Sequence, residues 1–575
     1  AVTTDPEAVK ELPSNAKYLP ADAVIAFSVE PGQLLKKADH AKLMKSKPVA
    51  ELLEELGNEM ITNLLTNPEE SGLAMDQPMH LYAQMEMIKD GDEEVPMPRV
   101  GIVAGVKDEA KLEKLLGTVL KLTGAPVEIT ANEEGGYKQI VVPGAPAALG
   151  FNKEVMIMAM LPVLGETAGE EPADGDDSDA GDSDNNCDAF MPDGGKMLAE
   201  AFGVKESLVA DKRSATHLRA EYDLAVWIDY EAVMKIVSIF GGDLFEELGL
   251  ADLDKYAKDN VHSVHLRFQP GAAEVSWLSY HSPEVMGDLS GSSMPKDMVS
   301  ILPQGTVAVM TQSLNMAEAL KVINDSLKSV LEGPEGELVT EMLQESLEMT
   351  LDELFSIPKG DFLLAFTGLE MQNIEDAGPM PMPQFILGMS VANQDNLGKL
   401  QAALARQNAL MMMNMVGIQV INKPGRFYIA SQGHVAAINA GQAANPLGGN
   451  AKTMMEKNDF AGVLRFAPIS AMMQQLAEGD PDADLAISVL NEFKQASAAS
   501  SFSKDRQSIL MRLDFRDPQT NGLRQLVDVI RRVAQEVDLE DLGGFGGGEV
   551  PEGFVVPPAP PALEKKNEGA DTDDK

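Results

Sequence analysis

The chain has 575 residues, more than one hydrophobic core ordinarily supports, so two to four domains are expected. Asp and Glu number 90 against 46 Lys and Arg, and the formal net charge of −44 repels phosphate backbones and anionic headgroups, which sets aside nucleic acid and electrostatic membrane docking. The single cysteine, Cys187, excludes an intrachain disulfide and a cysteine-built zinc site, and no apolar run reaches the roughly 18 residues of a membrane-spanning helix.

Residues 1–18 read as an N-terminal linker. The opening Ala1-Val2-Thr3-Thr4-Asp5 lacks an initiator Met and reads either as a mature end left by a removed targeting segment or as an artificial boundary. A strand is expected from Leu19-Pro20-Ala21-Asp22-Ala23-Val24, then helices near 31–46 and 48–66. Short strands follow at His80–Met87, Arg99–Val106, Val127–Thr130, Tyr137–Val142 and Glu154–Met160, with a turn at Glu133-Glu134-Gly135-Gly136. Met156, Met158 and Met160 share one strand face and are expected to be core. With 33 Met and only 5 % aromatic residues, the interior should be aliphatic and filled by flexible thioethers. Within an insertion at 163–215, Gly165 to Asp188 is almost all Asp, Glu, Gly, Ser and Asn, too polar to offset its ordering entropy. A strand Leu224–Ile228 and a helix Tyr230–Phe240 follow, then a strand Val264–Phe268.

The pattern then begins again. Leu302-Pro303-Gln304-Gly305-Thr306-Val307 repeats the Leu19 opening, and Pro381-Met382-Pro383 before a strand repeats Pro96-Met97-Pro98. Leu397 and Leu400 answer Leu112, Leu115 and Leu116 on the following helix, and His434–Ala437 answers Glu154–Ile157. Val463–Phe466 with the helix after it answers Leu224–Ile228, and Leu510–Phe515 answers Val264–Phe268. The expectation is an α+β fold: a tandem duplication of a mostly antiparallel sheet-plus-helices unit, with copies at 19–290 and 291–540, the acidic disordered insertion in the first, and a Gly/Pro/acidic tail at 541–575. A pseudo-symmetric pair of this kind is expected to leave a ligand-sized groove between its copies.

The search for chemistry returns little. There is no His-Glu-x-x-His, nucleophile elbow, Walker loop or dinucleotide fingerprint. Cys187 lies among carboxylates that suppress thiolate formation. His262 and His265 are expected on opposite faces of a strand, both partly exposed. Met411, Met412, Met413 and Met415 are expected to end a helix packed on the sheet, with no His or Cys nearby to complete a copper site. The hard oxygen ligands of Asp174, Asp176, Asp177, Asp179, Asp182 and Asp184 suit weak calcium binding, although the spacing departs from an EF-hand loop. No other cofactor is expected.

The Leu-Pro-x-Asp/Gly-x-Val strand opening, after the polar stretch Thr3–Tyr18 and again at Leu302-Pro303, resembles that of uncharacterised bacterial cell-envelope proteins, often lipid-anchored. The resemblance implies an extracytoplasmic location, in the periplasm or envelope, with a signal segment or lipid anchor in the precursor, and transfers no functional residues. The leading expectation is a non-enzymatic binding or scaffold protein that takes a protein or small-molecule ligand at the groove between copies. The alternatives are a hydrolase dependent on carboxylates or a divalent metal, and a calcium-responsive surface protein.

Overall fold

β1 (Ala23–Val29) displays the rule that organises the fold: Ala26 and Ser28 are fully buried while Ile25, on the other pleat, is exposed. The computed structural model describes residues 10–46, 49–50, 53–54, 59–90, 93–123, 127–142, 145–161, 193–247, 257–282, 288–291, 293–321, 341, 344–374, 378–476 and 481–536. The chain divides into two compact units, 1–527 and 528–575. Of the second, residues 528–536 are described, and the expected tail at 541–575 lies outside the described residues.

The first unit is a mixture of helices with one large antiparallel sheet. Its earlier strands after β1 are β2 (Met79–Asp90), β3 (Glu93–Gly105), β4 (Thr130–Asn132), β5 (Tyr137–Val141), β6 (Ala147–Phe151), β7 (Val155–Met160), β8 (Leu224–Asp229), β9 (Val261–Gln269) and β10 (Ala272–Tyr280). The later ones are β11 (Ala308–Ser313), β12 (Pro358–Ile374), β13 (Gly378–Val391), β14 (Ile418–Lys423), β15 (Arg426–Ser431), β16 (Phe460–Arg465), β17 (Phe493–Ser503) and β18 (Arg506–Phe515). Spatially the first set runs β4-β5-β6-β7-β3-β2-β1-β8-β9-β10, and the second continues β18-β17-β16-β11-β12-β13-β15-β14. The two sets join edge to edge. All nine residues of β10 pair with β18, from Ala272 opposite Asp514 to Tyr280 opposite Arg506. An ion network straps this seam: Glu274 accepts from Arg267 at 2.7 Å and Arg512 at 2.6 Å, and Arg512 Nε also reaches Asp514 at 2.7 Å.

Particular hydrogen bonds recur in the two sets. Leu208 N–H donates to the Leu19 carbonyl at 2.9 Å, and Leu447 N–H to the Leu302 carbonyl at 2.7 Å. Glu30 N–H donates to the Asp223 carbonyl at 2.9 Å, and Ser313 N–H to that of Asp459 at 2.6 Å. The Asp223 carboxylate accepts from Phe268 N–H at 2.6 Å, and Asp459 from Phe502 N–H at 2.7 Å. These bonds and the mirrored order make β17 the counterpart of β9 and β18 that of β10. In strand order Leu510–Phe515 on β18 holds the place of Ala272–Tyr280 on β10, rather than that of Val264–Phe268 on β9. β9 and β10 are consecutive nine-residue strands of similar alternation, which spacing alone does not tell apart.

One face of the sheet carries the main core. In the first set the helices Gly194–Phe202 and Lys212–Arg219 bury Leu198, Ala201 and Leu218 against Val103, Ile157 and Trp227. In the second, Met298, Ile438 and Met455 cover Leu363, Ala430 and Val463. Asp193 and Asp211 cap the first two helices by accepting backbone N–H bonds. The insertion expected at 163–215 is therefore ordered and packed from 193 onward, because its apolar residues recur at helical spacing there. Residues 14–18, expected as linker, form a helical turn with Asn15 and Ala16 buried and the Asn15 amide donating to the Pro78 carbonyl at 2.7 Å. The strand expected at Val127–Thr130 is confined to Thr130–Asn132.

Gly101 illustrates how tightly this face is filled. It sits under the buried Tyr82 ring on the paired strand, where a Cβ would lie 2.2 Å from Cζ. Gly101→Ala is expected to displace that ring and cost about 1–3 kcal/mol, read from the urea midpoint at unchanged slope.

Candidate functional site

The opposite face of the sheet is only partly covered. At one end the helix Glu109–Thr123 packs Leu112 and Leu116 onto Leu149, Phe151 and Met156. At the other the helix Gln394–Arg406 packs Leu397 and Leu400 onto Phe427 and Ile429. Between these ends, strand register places Ile25, Leu81, Trp277, Met310, Leu364 and Met511 on this second face, each 37–46 % exposed. They form three neighbouring pairs, Leu81 with Ile25, Trp277 with Met511 and Met310 with Leu364; β8 and β9, which the helix Tyr230–Glu247 meets, separate the first two pairs, and β17 and β16 the last two. The Met156, Met158 and Met160 stripe belongs to this second face. Val155, Ile157 and Ala159 on the other pleat are buried, while the three Met are half-buried, with Met156 packed into the cluster under the helix Glu109–Thr123 as expected of a core position.

The second face carries a cavity of about 710 Å³ over the later strands. Its floor is built from small residues, Gly462 on β16 and Ala496 and Ala498 on β17, with Ala308 on β11 beside them. Phe366 and Phe385 rise on one side and Met511 and Leu513 on the other, with Phe460 at one end of β16. Of the first strand set, only Ala273 and Val275 contribute. The seam itself is a continuous ladder, and the concavity lies mainly on the later strands, reaching across the seam at Ala273 and Val275. Gly462 has no steric need to be glycine, since a Cβ there would meet nothing closer than 3.8 Å.

Histidines gather elsewhere, on the helix-covered face. His80 is buried between the Ser28 hydroxyl, 2.8 Å from Nδ1, and the Asn15 amide oxygen, 3.3 Å from Nε2. His217 Nδ1 lies 2.7 Å from the Ser263 hydroxyl, and His265 Nε2 lies 3.0 Å from the His217 carbonyl, with the two rings 4.6 Å apart. Burial holds His80 and His265 down to about 4 and His217 well below its ordinary range; the neighbouring His265 lowers His217 further, and Lys10 does the same to His265. The Tyr222 hydroxyl lies near Ser28 without hydrogen-bond geometry, and burial pushes it up. The cluster is locked within the fold, away from the cavity. His262 and His265 do fall on opposite faces, yet His265 is fully buried rather than partly exposed; His262 accepts from the Trp277 indole N–H at 3.2 Å on the second face.

The Met-rich segment also differs from expectation. In the helix Ala409–Met415, Met411, Met412 and Met415 are 58, 64 and 79 % exposed, because the helix lies over no sheet surface that these positions face. Asp174, Asp176, Asp177, Asp179, Asp182, Asp184 and Cys187 lie outside the described residues. No helix among the described residues is long and apolar enough to cross a membrane.

Residues 16–167 match the family described as "Domain of unknown function (DUF4836)", a stretch that ends before the cavity-bearing strands. No curated protein matches the chain. A solved structure described as "Structure of crystal form I of TP0453" is similar at 8 % identity and a TM-score of 0.22, covering 47 % of this chain and 79 % of that one.

Proposed function

We propose that this chain is a non-catalytic binding protein whose receptor surface is the uncovered second face of the sheet. The observation that carries the reading is the 710 Å³ apolar cavity, flanked by the exposed side chains of Trp277, Met511, Met310 and Leu364. The repeated hydrogen bonds and mirrored strand order support an origin by tandem duplication, and the asymmetric cavity supports divergence of the second copy toward ligand binding. We also propose an extracytoplasmic location, supported by the strand-opening resemblance; sequencing the precursor's first codons tests it.

Nile red, a neutral dye that fluoresces in apolar surroundings, tests the receptor reading. The native protein should bind it saturably, and Leu364→Lys should weaken binding at least tenfold while leaving the melting temperature within about 2 °C, since the side chain is half exposed. Absence of saturable fluorescence with native protein would overturn the reading.

A further inference from the structure

Resting on that receptor reading, we propose that the trough on the later strands receives the acyl chain of a neutral or zwitterionic amphiphile, one molecule at a time, with its headgroup left in water. Four observations converge on this class. The first is size and chemistry: a cavity of about 710 Å³ falls within the range of small-molecule sites, and the side chains that register points into it are hydrocarbon or thioether. Ser497 and Arg512 also border it, but register turns their side chains to the opposite pleat, where Arg512 is paired with Glu274 and Asp514, so the part bound is hydrocarbon.

The second concerns the floor. β16 pairs with β11 and β17, and β17 pairs with β16 and β18, so the strands beneath the trough have ladder partners on both sides. A peptide therefore cannot add there as an extra strand, because the backbone groups it would need are already used. A flexible chain that asks only for apolar contact is what such a floor accepts.

The third is a comparison within the chain. Following the matched pairings, the positions held by Gly462, Ala498 and Ala496 correspond to Val226, Val264 and His262 in the first strand set. The earlier strands fill this level of the face with larger side chains; the later ones leave it empty. Backbone conformation does not require the glycine, since Gly462 has no positive φ, and neither do neighbouring atoms. What its smallness provides is depth.

The fourth is charge. A protein at −44 penalises an anionic headgroup held near its surface, and Arg512, the cation that borders the trough, is already paired with Glu274 and Asp514. Fatty-acid anions and alkyl sulfates are disfavoured relative to uncharged or zwitterionic amphiphiles of equal chain length.

The test is a chain-length series of n-alkyl maltosides from C8 to C12, titrated below their micelle concentrations into the full chain and followed by calorimetry. Affinity should rise roughly fourfold per added methylene until the trough is full. Alkyl sulfates of matched length should bind at least tenfold more weakly at low salt. Gly462→Leu and Ala498→Leu, which fill the trough, should each weaken maltoside binding more than tenfold, whereas Val226→Leu on the earlier strands should leave it unchanged. Affinity independent of chain length, or unchanged in both trough variants when they melt as the native protein does, would overturn the proposal. If Nile red binds the face and the maltosides do not, the acyl assignment falls while the receptor reading stands; if neither binds, both fall.

Discussion

Acidification from pH 7.5 to 4.5 is expected to remove several kcal/mol of folding stability, with the loss beginning near pH 6.5. Three imidazoles, those of His80, His217 and His265, are buried uncharged on the helix-covered face. Above pH 6.5 they are neutral in folded and unfolded chains alike, and the fold keeps its full stability. As pH falls through 6.5 the unfolded chain takes up protons that the folded chain refuses until about pH 4, where His80 and His265 titrate. Each unit of that window costs on the order of 1.4 kcal/mol per histidine, so His80 and His265 each lose roughly 3 kcal/mol across it, and His217 adds a loss in the same direction. Asp459 acts in the opposite sense: burial raises its carboxyl, so it favours the folded state as pH falls, but in the carboxylate range. Urea midpoints at pH 7.5, 6.0 and 5.0 measure the slope. His217→Gln with His265→Gln should be less stable at pH 7.5 yet lose most of the pH dependence. An undiminished slope in that variant would place the acid sensitivity elsewhere.

The second large effect concerns Asp223, whose side chain is fully shielded from solvent. Lys37 Nζ reaches both carboxylate oxygens at 2.7 Å, and Phe268 N–H supplies a third bond. Lys37→Met keeps the aliphatic stem and strands a buried carboxylate without its cation, at an expected cost of about 3–5 kcal/mol. Lys37→Met combined with Asp223→Asn should recover part of that loss, since the amide oxygen can still accept from Phe268 N–H. Equal stability of Lys37→Met and the native chain would show that the backbone bond alone satisfies the carboxylate.

The α+β class, the antiparallel pairing and strands such as β1, β2, β7 and β8 were legible because alternation and turn residues are local signals, whereas β6, β10, β12 and β17 were not read and His434–Ala437, matched to Glu154–Ile157 of β7, is helical. What local signals lack is sidedness. β7 is apolar on both pleats, so alternation does not show that Val155, Ile157 and Ala159 are fully buried while Met156, Met158 and Met160 are only half-buried, Met156 under the helix Glu109–Thr123. The helix Ala409–Met415 posed the same problem: an apolar helix is expected to pack, and only the tertiary arrangement shows that Met415 faces solvent. The histidine cluster was invisible because His80 and His217 are 137 positions apart and meet through β1 and β9. Gly462 and Ala498 carried no motif; their meaning emerges only once strand pairing sets them beside each other and against Val226 and Val264.

The ladder between β10 and β18 has a consequence for biosynthesis. Tyr280 leaves the ribosome 226 residues before its partner Arg506, and at roughly 5–20 residues per second that is about 10–45 s. Throughout this interval the nascent polypeptide carries a nine-residue strand whose outward amides and carbonyls have no mate, a template for pairing with a neighbouring nascent chain. Translation speed, ribosome spacing and chaperone supply should therefore govern the yield of this protein more strongly than the equilibrium stability of its finished sheet.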